Sequence, residues 1–117
     1  MKIYISTPVT SRPEETFAEK LQAASRRVDA LKAMIKSDPI YGKTFDEIVS
    51  TFDVNPIGCD HTESEAMGKC VELLLTCDAM LFDWTMFNNM VASKGMMTEQ
   101  FICKTYGIKL IINDSLS

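Results

Sequence analysis

Ala79-Met80-Leu81-Phe82 is apolar at every position, and this run decides the class of fold. A strand with water on one side alternates polar and apolar residues, whereas an unbroken apolar run belongs to a strand covered on both faces, as in parallel sheets. Working outward, Ser64 reads as the N-cap of a helix from Glu65 to Cys77, on which Met67, Val71, Leu74 and Leu75 share a face. Beyond a loop from Asp83 to Ala92, Ser93 opens another helix that stops near Tyr106-Gly107, with Gly as the stop signal. A second apolar strand, Ile108 to Ile112, follows.

The N-terminal half repeats the pattern. Lys2-Ile3-Tyr4-Ile5-Ser6 is a β-branched and aromatic run ended by Thr7-Pro8. Ser11-Arg12-Pro13-Glu14-Glu15 is read as a helix start, with Pro early and acids in the first turn. Phe17, Leu21, Ala24, Val28, Leu31 and Ile35 then form one apolar stripe, and Asp38-Pro39 stops the helix. Residues Ile40 to Ser50 are read as an irregular excursion with a weak helical pattern in Phe45 to Val49. Phe52-Asp53-Val54 is read as a brief strand ended by Asn55-Pro56. Strands alternating with helices four times predict an α/β fold: an open parallel four-stranded sheet in the order 2-1-3-4, flanked by helices, flavodoxin- or Rossmann-like. The whole of 1–117 is expected to be one domain.

Composition sets outer limits. The 117 residues carry 12 basic and 16 acidic side chains, and no Lys/Arg run provides the basic face that a nucleic-acid polymer requires. No apolar stretch approaches the roughly 20 residues of a membrane span, and the chain opens on a strand-like run with no signal core. A soluble cytoplasmic protein is therefore expected. Cys59, Cys70, Cys77 and Cys103 form no C-x-x-C pair, and His61 is the single histidine. Neither a metal set nor a disulfide framework is expected.

In open parallel sheets, ligands bind beyond the carboxyl ends of the strands where the strand order reverses. Here that places a crevice between strands one and three, walled by Ser6-Thr7-Pro8 and by Asp83-Trp84. The helix opening at Ser93 would point its free N–H groups at the same place, which suits an anionic or hydroxyl-rich ligand. In Ser93-Lys94-Gly95-Met96-Met97-Thr98-Glu99, Gly95 would let a ligand approach the backbone. Glu99 lies on a wheel between Gly95, Ile102, Cys103 and Tyr106. Two readings stay open: a solvent-facing acid near the helix start, or a functional carboxylate on an apolar face.

Five segments occur in one order: Lys2 to Thr10, Val54-Asn55-Pro56, Leu75 to Met80, Asp83-Trp84, and Ser93-x-Gly95-x-x-x-Glu99. Together they resemble the nucleoside 2-deoxyribosyltransferase-like superfamily, including its small bacterial and phage branch, over nearly the whole chain except Ile40 to Ser50. The resemblance implies that Glu99 is the nucleophile at C1′ of a deoxyribosyl group and that Tyr4 positions it. Ser6, Thr7, Pro8, Asp83, Trp84, Ser93 and Gly95 would hold the substrate, a 2′-deoxynucleoside or its 5′-monophosphate. Ser at position 93, where transferases have Asp, tilts the implied reaction towards nucleotide hydrolysis. No cofactor is implied. With the last strand so near Ser117, little is left to roof the crevice, and a homodimer completing each site is expected. Two positions depart from the family pattern: Thr7 replaces the usual Gly, and Cys70 replaces an Asp that assists protonation of the base. These departures motivate the alternative, a catalytically weakened nucleotide-binding module for sensing or assembly.

Overall fold

A computed structural model of the chain describes residues 1–83 and 94–113. The elements run β1 (Lys2–Ser6), α1 (Phe17–Ser37), α2 (Tyr41–Thr44), β2 (Glu47–Ser50), a 3-10 turn (Thr51–Asp53), α3 (Glu63–Leu74), β3 (Ala79–Asp83), α4 (Lys94–Tyr106) and β4 (Lys109–Asn113). The four strands form one parallel sheet in the order β2-β1-β3-β4. This is the α/β architecture and strand order that the alternation predicts. Among the described residues, no helix is long and apolar enough to cross a membrane.

The side-chain period of two divides β1 and β3 between two cores. Ile3, Ile5, Ala79 and Leu81 pack with Val28, Leu31 and Ile35 of α1 and with Phe45. Tyr4, Met80 and Phe82 face the other way, against Cys70 and Leu74 of α3 and Met96 and Cys103 of α4. All five residues of β3 are buried, the apolar run Ala79 to Phe82 as a strand covered on both faces requires, and Asp83 as an ion-paired carboxylate. The carboxylate of Asp78 begins β3 by accepting the Lys2 N–H at 2.8 Å.

Several boundaries differ from the sequence reading, each because a local hydrogen bond decides it. The second strand is Glu47–Ser50, inside the stretch read as irregular, and Phe52-Asp53 belongs to the 3-10 turn. Ser50 ends the strand through a capping box: its Oγ accepts the Phe52 N–H, while the Asp53 carboxylate accepts the Ser50 N–H at 2.7 Å. Helix α1 starts after Thr16, whose Oγ1 accepts the Glu19 N–H at 3.1 Å, and not at Ser11 to Pro13. Helix α3 is capped by Thr62, two residues before Ser64, because Thr62 and Glu65 bond each other's backbone N–H reciprocally. It ends at Leu74, so Leu75 is exposed and does not share the buried face. Gly107 ends α4 as expected, at φ +70°. Gly42 sits where α2 folds back on α1; a Cβ there would lie 2.5 Å from the Lys36 carbonyl oxygen.

Candidate functional site

Beyond the carboxyl end of β1, a cleft of about 420 Å³ opens between α3 and α4. It lies on the Tyr4–Ser6 face of the sheet, because alternate residues of β1 point there. Tyr4 and Ser6 line its base. Ala66, Met67 and Cys70 form the α3 side, while Gly95, Met96 and Glu99 form the α4 side. Thr7, Thr10, Thr51, Ser64 and Thr98 add hydroxyl groups. Such a mixture of apolar surface and convergent polar groups is typical of a small-molecule site.

Glu99 is 6% exposed, which excludes the solvent-facing reading of this acid. Ser6 Oγ donates to Glu99 Oε1 at 2.9 Å, bridging the end of β1 to the second turn of α4. Burial pushes the Glu99 carboxyl up to about 7; hydrogen bonds from Tyr4 and Ser6 oppose that rise without cancelling it. Tyr4 is itself buried, and desolvation together with the neighbouring Glu99 pushes its phenol well above the usual range. The phenol therefore stays protonated and keeps a donor for the carboxylate.

Cys70 lies beside Tyr4 and lines the cleft. Its Sγ donates to Thr51 Oγ1 at 3.1 Å, and Asn55 Nδ2 donates to Sγ at 3.4 Å. Burial pushes this thiol up, so it is neutral at physiological pH. His61 is half-buried, its Nδ1 paired with Asn55 Oδ1 at 2.7 Å, and it does not line the cleft. Among the described residues, no group of three or more His, Cys, Asp or Glu is placed to hold a metal. All four cysteines are free thiols, three of them buried and Cys59 exposed.

Asp83 occupies a different environment. It is 1% exposed and on the α1 side, where Arg27 grips it through Nε to Oδ2 and Nη2 to Oδ1, both at 2.9 Å. Thr7 Oγ1 donates to Oδ2 at 2.8 Å and Asn113 Nδ2 to Oδ1 at 3.4 Å. Asp83 does not line the cleft. Thr7 does, and its hydroxyl supplies a bond to Asp83 that a glycine there would lack. Pro8 is buried off the cleft, its carbonyl accepting Arg12 Nε at 2.6 Å. Trp84 and Ser93, two further sequence candidates, lie outside the described residues. Thus the structure brings Tyr4, Ser6, Thr7, Gly95 and Glu99 to one cleft and leaves Pro8 and Asp83 off it.

The cleft also contains residues that the sequence reading passed over, chiefly Glu63, Thr51 and Thr98. Glu63 was detectable. Thr62-x-x-Glu65 is a capping-box pattern, and it puts Glu63 in the first turn of α3 on one stripe with Ala66, Met67 and Cys70. Comparison with known proteins finds no family model and no curated relative that matches the chain.

Proposed function

We propose that this chain is a nucleoside 2-deoxyribosyltransferase-like protein that cleaves or transfers the N-glycosidic bond of a 2′-deoxynucleoside or its 5′-monophosphate, with Glu99 as nucleophile. One observation carries the reading: a buried carboxyl in a cleft at the strand ends, held by Ser6 at 2.9 Å and by the Tyr4 hydroxyl. In the ionised state Glu99 attacks C1′, and the electron pair of the C1′–N bond departs with the base. Water, or the nitrogen of an acceptor base, then attacks C1′ of the glycosyl ester, loses a proton, and releases Glu99 as carboxylate. Ser6 and Tyr4 act by holding the carboxylate in one orientation.

A second reading rests on Cys70. Where the resemblance places an acid that protonates the departing base, this cleft has a buried thiol held neutral by desolvation. A module that binds nucleosides without cleaving them fits that substitution. Incubation with a panel of 2′-deoxynucleosides and 5′-monophosphates, followed by chromatography for free base, separates the two. Base release that Glu99→Ala abolishes supports the enzyme. Binding with no release supports the module, and release unaffected by Glu99→Ala removes Glu99 as nucleophile.

A further inference from the structure

We infer that Glu63 makes this cleft select an uncharged 2′-deoxynucleoside over its 5′-monophosphate; the inference rests on the nucleoside reading above and narrows its substrate class. Among the described residues lining the cleft, the charged side chains are Glu63 and Glu99, with no Lys, Arg or His. Among the described residues, the cations near the strand ends are held by protein groups: Arg27 by Asp83, Arg12 by Pro8 and Thr7, and Lys20 by the Thr10 carbonyl at 3.0 Å. The other described side chains lining the cleft carry hydroxyls, a thiol or apolar groups, which match the sugar hydroxyls and flat base of a neutral nucleoside.

Glu63 and its neighbour Glu65 have different roles. The Glu65 carboxylate closes the capping box with Thr62, whereas Glu63 makes no hydrogen bond or ion pair with any described residue. Glu63 is exposed on the stripe that descends through Ala66 and Met67 to Cys70. Seven residues of helix rise by about 10 Å, so Glu63 stands at the mouth of the cleft whose base holds Glu99. With C1′ at Glu99, a 5′-phosphate directed to the cleft mouth would come within roughly 10 Å of both carboxylates, about one Debye length at ordinary ionic strength. Screened over that distance, repulsion of a dianion by the two carboxylates corresponds to roughly a threefold loss of affinity.

The test is the ratio of affinities, measured by calorimetry for a 2′-deoxynucleoside and its 5′-monophosphate on wild type, Glu63→Gln and Glu63→Lys. The wild type is expected to prefer the nucleoside by about threefold at ordinary ionic strength. The preference should shrink in Glu63→Gln, disappear in Glu63→Lys, and narrow as salt is raised. A general structural defect would weaken both ligands and leave the ratio alone. Equal or tighter binding of the monophosphate to wild type, or a ratio unmoved by both variants, overturns the inference. Selective nucleoside binding without base release would overturn the catalytic reading and leave this one standing. Failure of wild type to bind either ligand overturns both.

Discussion

Replacing Glu99 by glutamine should stabilise the protein in alkaline solution, and the size of the gain follows from the site. Burial carries the carboxyl from an ordinary 4.5 to about 7. At about 1.36 kcal/mol per pH unit, that difference amounts to roughly 3 kcal/mol. The folded state keeps a proton that the unfolded state surrenders, so stability falls as pH rises from about 4.5, and the loss is complete above about 7. Glutamine has nearly the same shape and does not titrate. Near pH 5 the variant should match wild type to within about 1 kcal/mol, the value of a rearranged hydrogen bond with Ser6 or Tyr4.

Between pH 5 and pH 8 the wild type should lose roughly 2–3 kcal/mol relative to the variant. Urea unfolding of both proteins at each pH measures this directly, and subtracting the curves removes every other titrating group. A difference that stays flat across the interval would show that Glu99 carries no burial penalty. The argument from an uncompensated buried carboxyl would then fail.

Three further outcomes follow from the same geometry. In the proposed reaction the attacking group is the ionised Glu99, so base release should rise about tenfold per pH unit on the acid side and level off above about 7; a rate falling through that range would make Glu99 a proton donor instead. Asp83→Asn leaves the Arg27 guanidinium without its carboxylate and should cost about 3 kcal/mol in urea unfolding, while a loss under about 1 kcal/mol would contradict a buried pair. Of the four thiols, Cys59 should react with an aromatic disulfide reagent in the native state, and Cys70, Cys77 and Cys103 only on unfolding. Burial pushes the last three up, Cys103 to about 11, so rapid native labelling of any of them would contradict their placement.

Sheet order was legible because β1 and β3 advertise full burial and the helices between strands carry clear stripes. Strand β2 was not. It offers only Glu47-Ile48-Val49-Ser50 at a sheet edge, and Phe45, Ile48 and Val49 fit a helical spacing as well as an extended one. Pairing with β1 settles the matter, and that pairing is non-local. The same limit applies to the site. Glu99 could be placed on an apolar helical face, but its partner Ser6 lies 93 residues away, so burial depends on packing that no local pattern records. Asp83 failed as a cleft residue for a different reason. The period of two in β3 puts it on the face of Ala79 and Leu81, opposite Phe82, where Arg27 of α1 receives its carboxylate.

The contrast between those two acids is the strongest physical argument for where chemistry occurs. Asp83 and Glu99 are both almost fully buried near the carboxyl ends of the central strands. Asp83 has a bidentate guanidinium and further hydrogen bonds, the arrangement that makes a buried charge tolerable. Glu99 has two hydroxyl donors and, among the described residues, no cation. Folding alone would be better served by an amide at position 99 above neutral pH. Once ionised, a carboxylate in that position, facing a cleft large enough for a small molecule, has neither full solvation nor, among the described residues, a cation to balance it. A positively polarised C1′ at a departing base is the kind of partner that would compensate it, which ties the energetic cost at Glu99 to the proposed reaction.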